Sequence, residues 1–596
     1  MKRSETAIQR IRDVFPDAVP DAVPDAVNDA SAFHGDISVT IRKNRLSGVV
    51  RLLATDPDLG FDYLSDLTGV DYPDKEPRFE VVCHLTSTKD GAVIRLKIPV
   101  TSSDPTLQTI TPEYPSANWY EREVYDMFGI TFLGHPDMRR ILMPEGWRGH
   151  PLRKDYPLDG EEVAFTSNKD SIEEQSLPFI LEGKRDGYLE LTPDGFTLSN
   201  LERLGLSGAE GRIILNMGPQ HPSTHGLLRL LIELNGERIS RIIPEIGYLH
   251  TGIEKSGEHL TYPQALTLTD RADYLANLFN NLAYCLAVER LLGLEIPLRA
   301  QYIRVLLCEL NRLASHLLAI GVMAHELGAT SVLLYCFRER EIIMDIFEML
   351  SGVRMMTSYI TIGGLRDELP ETFMGKVEEV LNIFPEKIDE YEKLLTKNPI
   401  WLKRTKGIGY LAAGEALGLG ASGPLLRGSG IKRDLRKQAP YSSYDHFDFD
   451  VPVGENGDVF DRYIIRIEEM RQSLRIIRQV IDKLPEGPVK ADNRKVVLPP
   501  REELGKSMES LIHHFLIASR GFPVPRGEAY VSVESPRGEL GYYIVSDGSE
   551  KPYRFRIRGP SFANLMSIPA MARECYIADV VAIIGSIDPV LGDVDR

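Results

Sequence analysis

The sequence predicts an α/β domain at the N-terminal end, joined to a larger, helix-rich α+β domain. Three patterns carry this expectation. Ile94, Leu96, Ile98 and Val100 alternate with Arg95, Lys97 and Pro99, the period of a half-buried strand. Further on, Ile303, Leu306, Leu310, Leu313 and Leu317 recur at three- and four-residue steps and form one apolar helical face. Strand-like patterning then returns in Gly541-Tyr542-Tyr543-Ile544-Val545, just before Ser546-Asp547-Gly548.

Taken in chain order, Pro-Asp-Ala-Val is repeated three times over residues 16–27, a short duplication expected to be flexible. The apolar run from Phe79 to Leu85 and the strand around Ile94 flank Asp90-Gly91, which signals a hairpin because glycine tolerates the positive φ of a tight turn. Residues 157–205 hold few long apolar stretches and open on Pro157-Leu158-Asp159-Gly160-Glu161-Glu162, so the domain junction is expected there. The expected division is one domain over 1–185, a linker over 186–208 and a second domain over 209–596. Leu230, Ile232 and Leu234 alternate before Asn235-Gly236, a second hairpin. From about 260 onward helices dominate, and Ile467, Met470, Leu474, Ile477, Ile481 and Leu484 form a stripe ended by Pro485 and Gly487. An extended helix pair or bundle buries such stripes.

Composition narrows the function. The chain has 596 residues and a formal net charge of −17, which disfavours non-specific nucleic-acid binding. Its five cysteines, Cys83, Cys285, Cys308, Cys336 and Cys575, form no CxxC pair. That argues for a reducing compartment, and against an iron–sulfur cluster or zinc site built by this chain alone. The first fifteen residues lack the apolar segment of a secretory signal, and no run of 18 apolar residues occurs.

Two long segments carry a family resemblance. The first contains Glu121-Arg122-Glu123-Val124-Tyr125-Asp126-Met127-Phe128-Gly129, His135-Pro136, Arg139-Arg140-Ile141-Leu142-Met143 and Gly149-His150-Pro151-Leu152-Arg153-Lys154-Asp155-Tyr156. Dense in arginine and carboxylate, it suits a charged docking surface, and ion pairing is the expected role of Glu121, Glu123 and Asp126 rather than catalysis. It resembles the C subunit of the bacterial proton-pumping NADH:quinone oxidoreductases, the respiratory complex I family. The second contains Asn216-Met217-Gly218-Pro219-Gln220-His221-Pro222-Ser223-Thr224-His225-Gly226, Ile246-Gly247-Tyr248-Leu249-His250-Thr251-Gly252, Glu254-Lys255 and Thr269-Asp270-Arg271-Ala272-Asp273-Tyr274. With the final Asp588-Pro589 and Gly592-Asp593-Val594-Asp595-Arg596, it resembles the D subunit of the same family.

The resemblance implies a C-then-D fusion in the peripheral arm, on the cytoplasmic side of a bacterial inner membrane. The D-like part is itself similar to the large subunit of nickel–iron hydrogenases, but lacks the two CxxC pairs that hold their metal. The implied substrate is a quinone, with no cofactor held by this chain alone. A [4Fe–4S] cluster on the B subunit would lie beside it, and the G, H and I subunits would be further partners. His225 and Tyr274 are the implied proton donors to the quinone carbonyls. An imidazole titrates near neutrality and a phenol donates a hydrogen bond well. Glu326 stands where the family commonly has aspartate, one methylene shorter, as the carboxylate that supports the histidine. His221 is expected to be structural. Arg271 matches an arginine beside the partner's cluster, and Met356 stands where the family often has histidine. A hydrogenase-like metalloenzyme and a purely scaffolding subunit are the alternatives, the first opposed by the missing thiolates, the second by the His225–Tyr274 pair.

Overall fold

The computed structural model describes residues 2–15, 17, 37–144, 147–158 and 212–596. The expected linker, and all but Asp17 of the Pro-Asp-Ala-Val repeat, lie outside the described residues.

The N-terminal half is built on a four-stranded sheet in the order β1-β4-β3-β2: β1 (Ser38–Thr40), β2 (Tyr63–Asp71), β3 (Phe79–Thr86) and β4 (Val93–Val100). β1 and β4 are parallel and the other pairs antiparallel. The expected hairpin joins β3 to β4, but its loop runs over 87–92, with Gly91 at φ +72°. It is therefore longer than a two-residue turn. Helix α1 (Ala117–Phe128) packs on β2 and ends at Gly129, whose φ of +75° suits a residue without Cβ.

The C-terminal half opens with a three-stranded antiparallel sheet, β5 (Arg212–Met217), β6 (Arg229–Asn235) and β7 (Arg238–Glu245). The second expected hairpin forms, one residue on: Asn235 pairs with Arg238, and the two-residue β6–β7 loop is Gly236-Glu237, with Gly236 at φ +61°. Helices follow: α2 (Tyr262–Ala272), α3 (Asn277–Leu292), α4 (Leu298–Glu326), α5 (Thr330–Ser351) and α6 (Val459–Lys483). α4 packs on both α5 and α6. It is the one helix among the described residues long and apolar enough to cross a membrane, and most of it is buried within the molecule. A second three-stranded antiparallel sheet, β8 (Gly527–Ser535), β9 (Gly538–Ser546) and β10 (Arg554–Arg558), packs on α3. The chain closes with α7 (Asp579–Ile587) and α8 (Leu591–Asp595).

One continuous apolar core runs through both halves. Between them lies a second feature that periodicity alone misreads. Arg554, Arg556 and Arg558 alternate with Phe555 and Ile557, which reads as a strand with one solvated face. All five residues are buried. Arg554 donates to Gly69 O and Thr68 Oγ1, both at 3.0 Å, and pairs with Glu254 at 2.8 Å. Arg556 pairs with Asp66 at 2.9 Å and with Glu123. Arg558 donates to Ser65 O at 3.0 Å and Tyr63 OH at 2.9 Å. Each guanidinium fork thus bridges β10 to the N-terminal half. Buried charges persist only when paired in this way.

The docking surface expected of residues 121–156 is therefore internal. Lys154 pairs with Glu258 at 2.7 Å, and Lys255 donates to Arg153 O and Tyr156 O at 2.9 Å. Asp126 pairs with Arg140 at 2.6 Å, and Glu123 with Arg556 and Arg596. Glu121 is the exception to the ion-pair expectation. Its carboxyl accepts from Ile110 N–H at 2.8 Å and Thr109 Oγ1 at 2.6 Å and stands 4.0 Å from His135 Nε2, with no arginine or lysine among its partners in the described residues. Burial pushes it up to about 7.

Candidate functional site

His225 sits in the β5–β6 loop, directly after a short 3-10 turn over Pro222–Thr224. His221 opens that turn, its Nδ1 accepting from Ser223 N–H at 3.2 Å, and it is exposed. Thr224 is buried and donates to His221 O at 2.8 Å. His225 adopts a left-handed conformation, φ 55° and ψ 25°. A non-glycine residue held there is uncommon, and the tight loop turns its ring inward.

The ring meets Glu326, the last residue of α4, with Nε2 3.0 Å from Oε1. Both side chains are nearly enclosed, at 11% and 8% exposure. The approach lacks hydrogen-bond alignment, and His225 Nε2 and Glu326 Oε2 both remain without a hydrogen-bond partner among the described residues. Buried polar atoms in that state are costly unless something else satisfies them. Behind the carboxylate stands Gly585 of α7: a Cβ there would lie 2.8 Å from Glu326 Oε2.

Tyr274 lies in the turn between α2 and α3, half-buried. Asp273 shapes that turn, accepting from Leu275 N–H and Ala276 N–H at 3.1 Å. Burial pushes the Tyr274 phenol up, so it stays protonated at neutral pH, while the nearby Arg537 opposes the shift. Arg537 donates to Asp273 Oδ2 at 2.9 Å and to Asp588 O at 2.8 Å, and its Nη2 lies 3.0 Å from Asp588 Oδ2. Burial pushes the Asp588 carboxyl up, against Arg537, Arg466 and His225, which favour its charge.

The structure thus brings His225 and Glu326 into direct approach and links the supports of His225 and Tyr274 through Arg537. Arg271 is itself exposed on the otherwise buried last turn of α2, donating to Thr267 O at 3.3 Å. Met356 is also exposed, in a left-handed conformation at φ 57°. Sequence reasoning missed Arg537 and Gly585. It recorded Asp273 and Asp588 only as parts of motifs. The one available signal was Pro536-Arg537 between two strand patterns, which marks a turn but not an inward-facing charge. Two stretches of the second motif also meet: Asp595 accepts from Gly247 N–H at 2.9 Å and Leu249 N–H at 2.7 Å. A cleft of about 900 Å³ lies elsewhere, between the halves and lined by His84, Arg95, Arg304 and Tyr530. Among the described residues no group of three or more His, Cys, Asp or Glu side chains is arranged to hold a metal ion.

Residues 39–162 match the family of the respiratory-chain NADH dehydrogenase 30 Kd subunit, and residues 326–596 that of the 49 Kd subunit. The NADH-quinone oxidoreductase C/D subunit of Methylococcus capsulatus is 43% identical over 554 residues, covering 92% of each chain. This chain belongs to the family of fused C/D subunits of NADH-quinone oxidoreductase. The C/D subunit of Gluconacetobacter diazotrophicus is 42% identical over 567 residues, 93% of this chain and 91% of the relative. The D-like part also matches stand-alone relatives. The NADH-quinone oxidoreductase D subunit 1 of Solibacter usitatus is 60% identical over 390 residues, 65% of this chain and 95% of that one. As a fused C/D subunit, the chain is one component of a respiratory-chain oxidoreductase and carries both parts on one polypeptide.

Proposed function

We propose that His225, Tyr274 and Glu326 form a quinone-headgroup site in the D-like part, and that the chain spans one C-like domain (1–185), a linker (186–208) and one D-like domain (209–596). Reduction of a quinone to a quinol adds two electrons and two protons. The electrons would come from a [4Fe–4S] cluster on the B subunit, with the exposed Arg271 facing it. The protons enter at the two carbonyl oxygens, and this chain supplies groups able to place them there. The His225 imidazole donates or relays a proton to one carbonyl. The Tyr274 O–H, held protonated by burial, donates to the other carbonyl. Glu326 holds the ring and takes part in returning its proton.

The observation that carries this reading is the orphaned Nε2 of His225, nearly enclosed against a carboxylate that does not align with it. A ring nitrogen without an aligned hydrogen bond among the described residues is suited to a ligand oxygen. In the assembled enzyme the chain would sit in the peripheral arm on the cytoplasmic side of the inner membrane, against the B, G, H and I subunits, with quinone reduction coupled to proton translocation. The D-like half would share its ancestry with the hydrogenase large subunit, its former metal cavity serving the headgroup. The test is photolabelling of the assembled complex with a photoreactive quinone analogue, followed by peptide mapping. Labelling of the peptides that hold His225 or Tyr274, suppressed by excess quinone, is expected. Competable labelling confined to other segments would overturn the assignment.

A further inference from the structure

We propose that Arg537 is a positioning residue that clamps the supports of His225 and Tyr274 to each other, setting the spacing between the two donors. This inference rests on the reading of those two residues as headgroup donors.

Arg537 occupies the two-residue loop Pro536-Arg537 between β8 and β9, closed by the Ser535–Gly538 pair. The backbone there cannot drift. Gly538 has φ +133°, and a Cβ on it would lie 2.3 Å from Ser422 Oγ. Arg537 O accepts from Asn564 Nδ2 at 3.0 Å. From this fixed base the guanidinium points into the interior, with none of the side chain exposed.

Its fork reaches two elements. One arm holds Asp273, whose Oδ1 accepts the two backbone N–H groups that shape the Tyr274 turn. The other holds Asp588 at the C-terminal end of α7 by a hydrogen bond to its main-chain oxygen at 2.8 Å, with the carboxylate 3.0 Å away as a charge contact rather than an aligned hydrogen bond. Asp588 itself adopts φ 57°, a conformation that needs such support. α7 also carries Gly585 beneath Glu326, and it packs against the turn that precedes His225. One planar cation therefore connects the Tyr274 turn to the helix on which the His225–Glu326 pair rests. A lysine cannot copy this: it offers a point charge without the fixed fork, and reaches one carboxylate at a time. In a reaction that needs two donors at two carbonyls, a small error of placement is expensive, since positioning accounts for much of the rate.

The experiment uses the whole oxidoreductase in membranes. Its variants are Tyr274→Phe, Arg537→Lys and the double variant, each assayed with quinone and with an artificial acceptor that reports assembly and NADH oxidation. Arg537→Lys should lose about tenfold in quinone kcat with artificial-acceptor activity retained, about 1.4 kcal/mol. The double variant should be no slower than the slower single variant, because the two changes disable one unit. Unchanged quinone kinetics in Arg537→Lys, with Tyr274→Phe impaired, would refute the clamp alone. So would losses that multiply in the double variant. Unchanged kinetics in Tyr274→Phe would instead remove the donor reading, and the clamp with it. Should Arg537→Lys not assemble, Asp588→Asn replaces it in the same cycle, since it weakens one arm of the fork while keeping the shape.

Discussion

His225 Nε2 lies 3.0 Å from Glu326 Oε1, although one residue sits in a loop between two strands and the other ends a long core helix. The meeting depends on α7, whose Gly585 leaves room for the carboxylate. This arrangement, and the Arg537 clamp beside it, determine what substitutions should do.

Tyr274→Phe removes one O–H and almost no volume. If that O–H stabilises the transition state by about 1–3 kcal/mol, quinone reduction slows roughly 5- to 150-fold. NADH oxidation by an artificial acceptor should be intact. Steady-state assays of the assembled complex with both acceptors decide it, and equal quinone rates in variant and parent would exclude Tyr274 as a donor in the slow step.

His225→Ala should abolish more quinone reductase activity than Glu326→Gln. In the proposed roles the ring donates to the quinone, whereas the carboxylate acts through the ring it approaches at 3.0 Å. The reverse order of defects, in complexes with equal artificial-acceptor activity, would exchange the two roles.

Gly585→Ala should impair quinone reduction without lowering stability. The new methyl would stand 2.8 Å from Glu326 Oε2 and drive the carboxylate off the His225 ring. Alanine is the better helix former by about 1 kcal/mol, so the helix itself should not suffer. Adding Glu326→Asp withdraws the carboxylate by one methylene and should restore part of the activity. A Gly585→Ala variant with parental kinetics would show that the spacing is slack.

Glu121 gives a stability signature. Its carboxyl rises to about 7 in the fold from an ordinary 4.5, because burial disfavours its charge. Its contribution is therefore complete below pH 4.5 and is lost as pH climbs through about 7. The total is on the order of 3 kcal/mol. Glu121→Gln cannot ionise, so relative to the parent it should gain apparent melting temperature between pH 5 and pH 7.5. A difference in melting temperature that stays constant across that range would show that Glu121 does not titrate as its burial demands.

Arg556→Met should be severely destabilising. It would leave Asp66, Glu123 and Glu254 with less compensation at the buried junction of the two halves. Removing one partner of a buried ion pair costs about 3–5 kcal/mol. Limited proteolysis of the purified chain measures it: the variant should be cut faster at the interface segments, and equal cutting would refute the role.

Much of the fold is legible in the chain because local patterns follow from backbone geometry. Strand β4, the β6–β7 hairpin with Gly236 in its turn, and the long helices α4 and α6 follow directly from period and turn chemistry. The family, too, is written in polar motifs at fixed spacing, and so are His225, Tyr274 and Glu326 as candidates. Tertiary structure alone decided which charges are inside. Arg554, Arg556 and Arg558 form a stripe that periodicity assigns to solvent, yet all three are buried because carboxylates and carbonyls of a distant domain receive them. Arg537 is the same case at the site, a turn residue by sequence and a clamp by packing. Glu121 is the opposite case, an expected ion-pair partner that hydrogen-bonds to Thr109 and a backbone N–H instead. The physical reason is common to all three. Apolar period is a local property of the backbone, whereas the cost of burying a charge depends on partners that the chain brings together only when it folds.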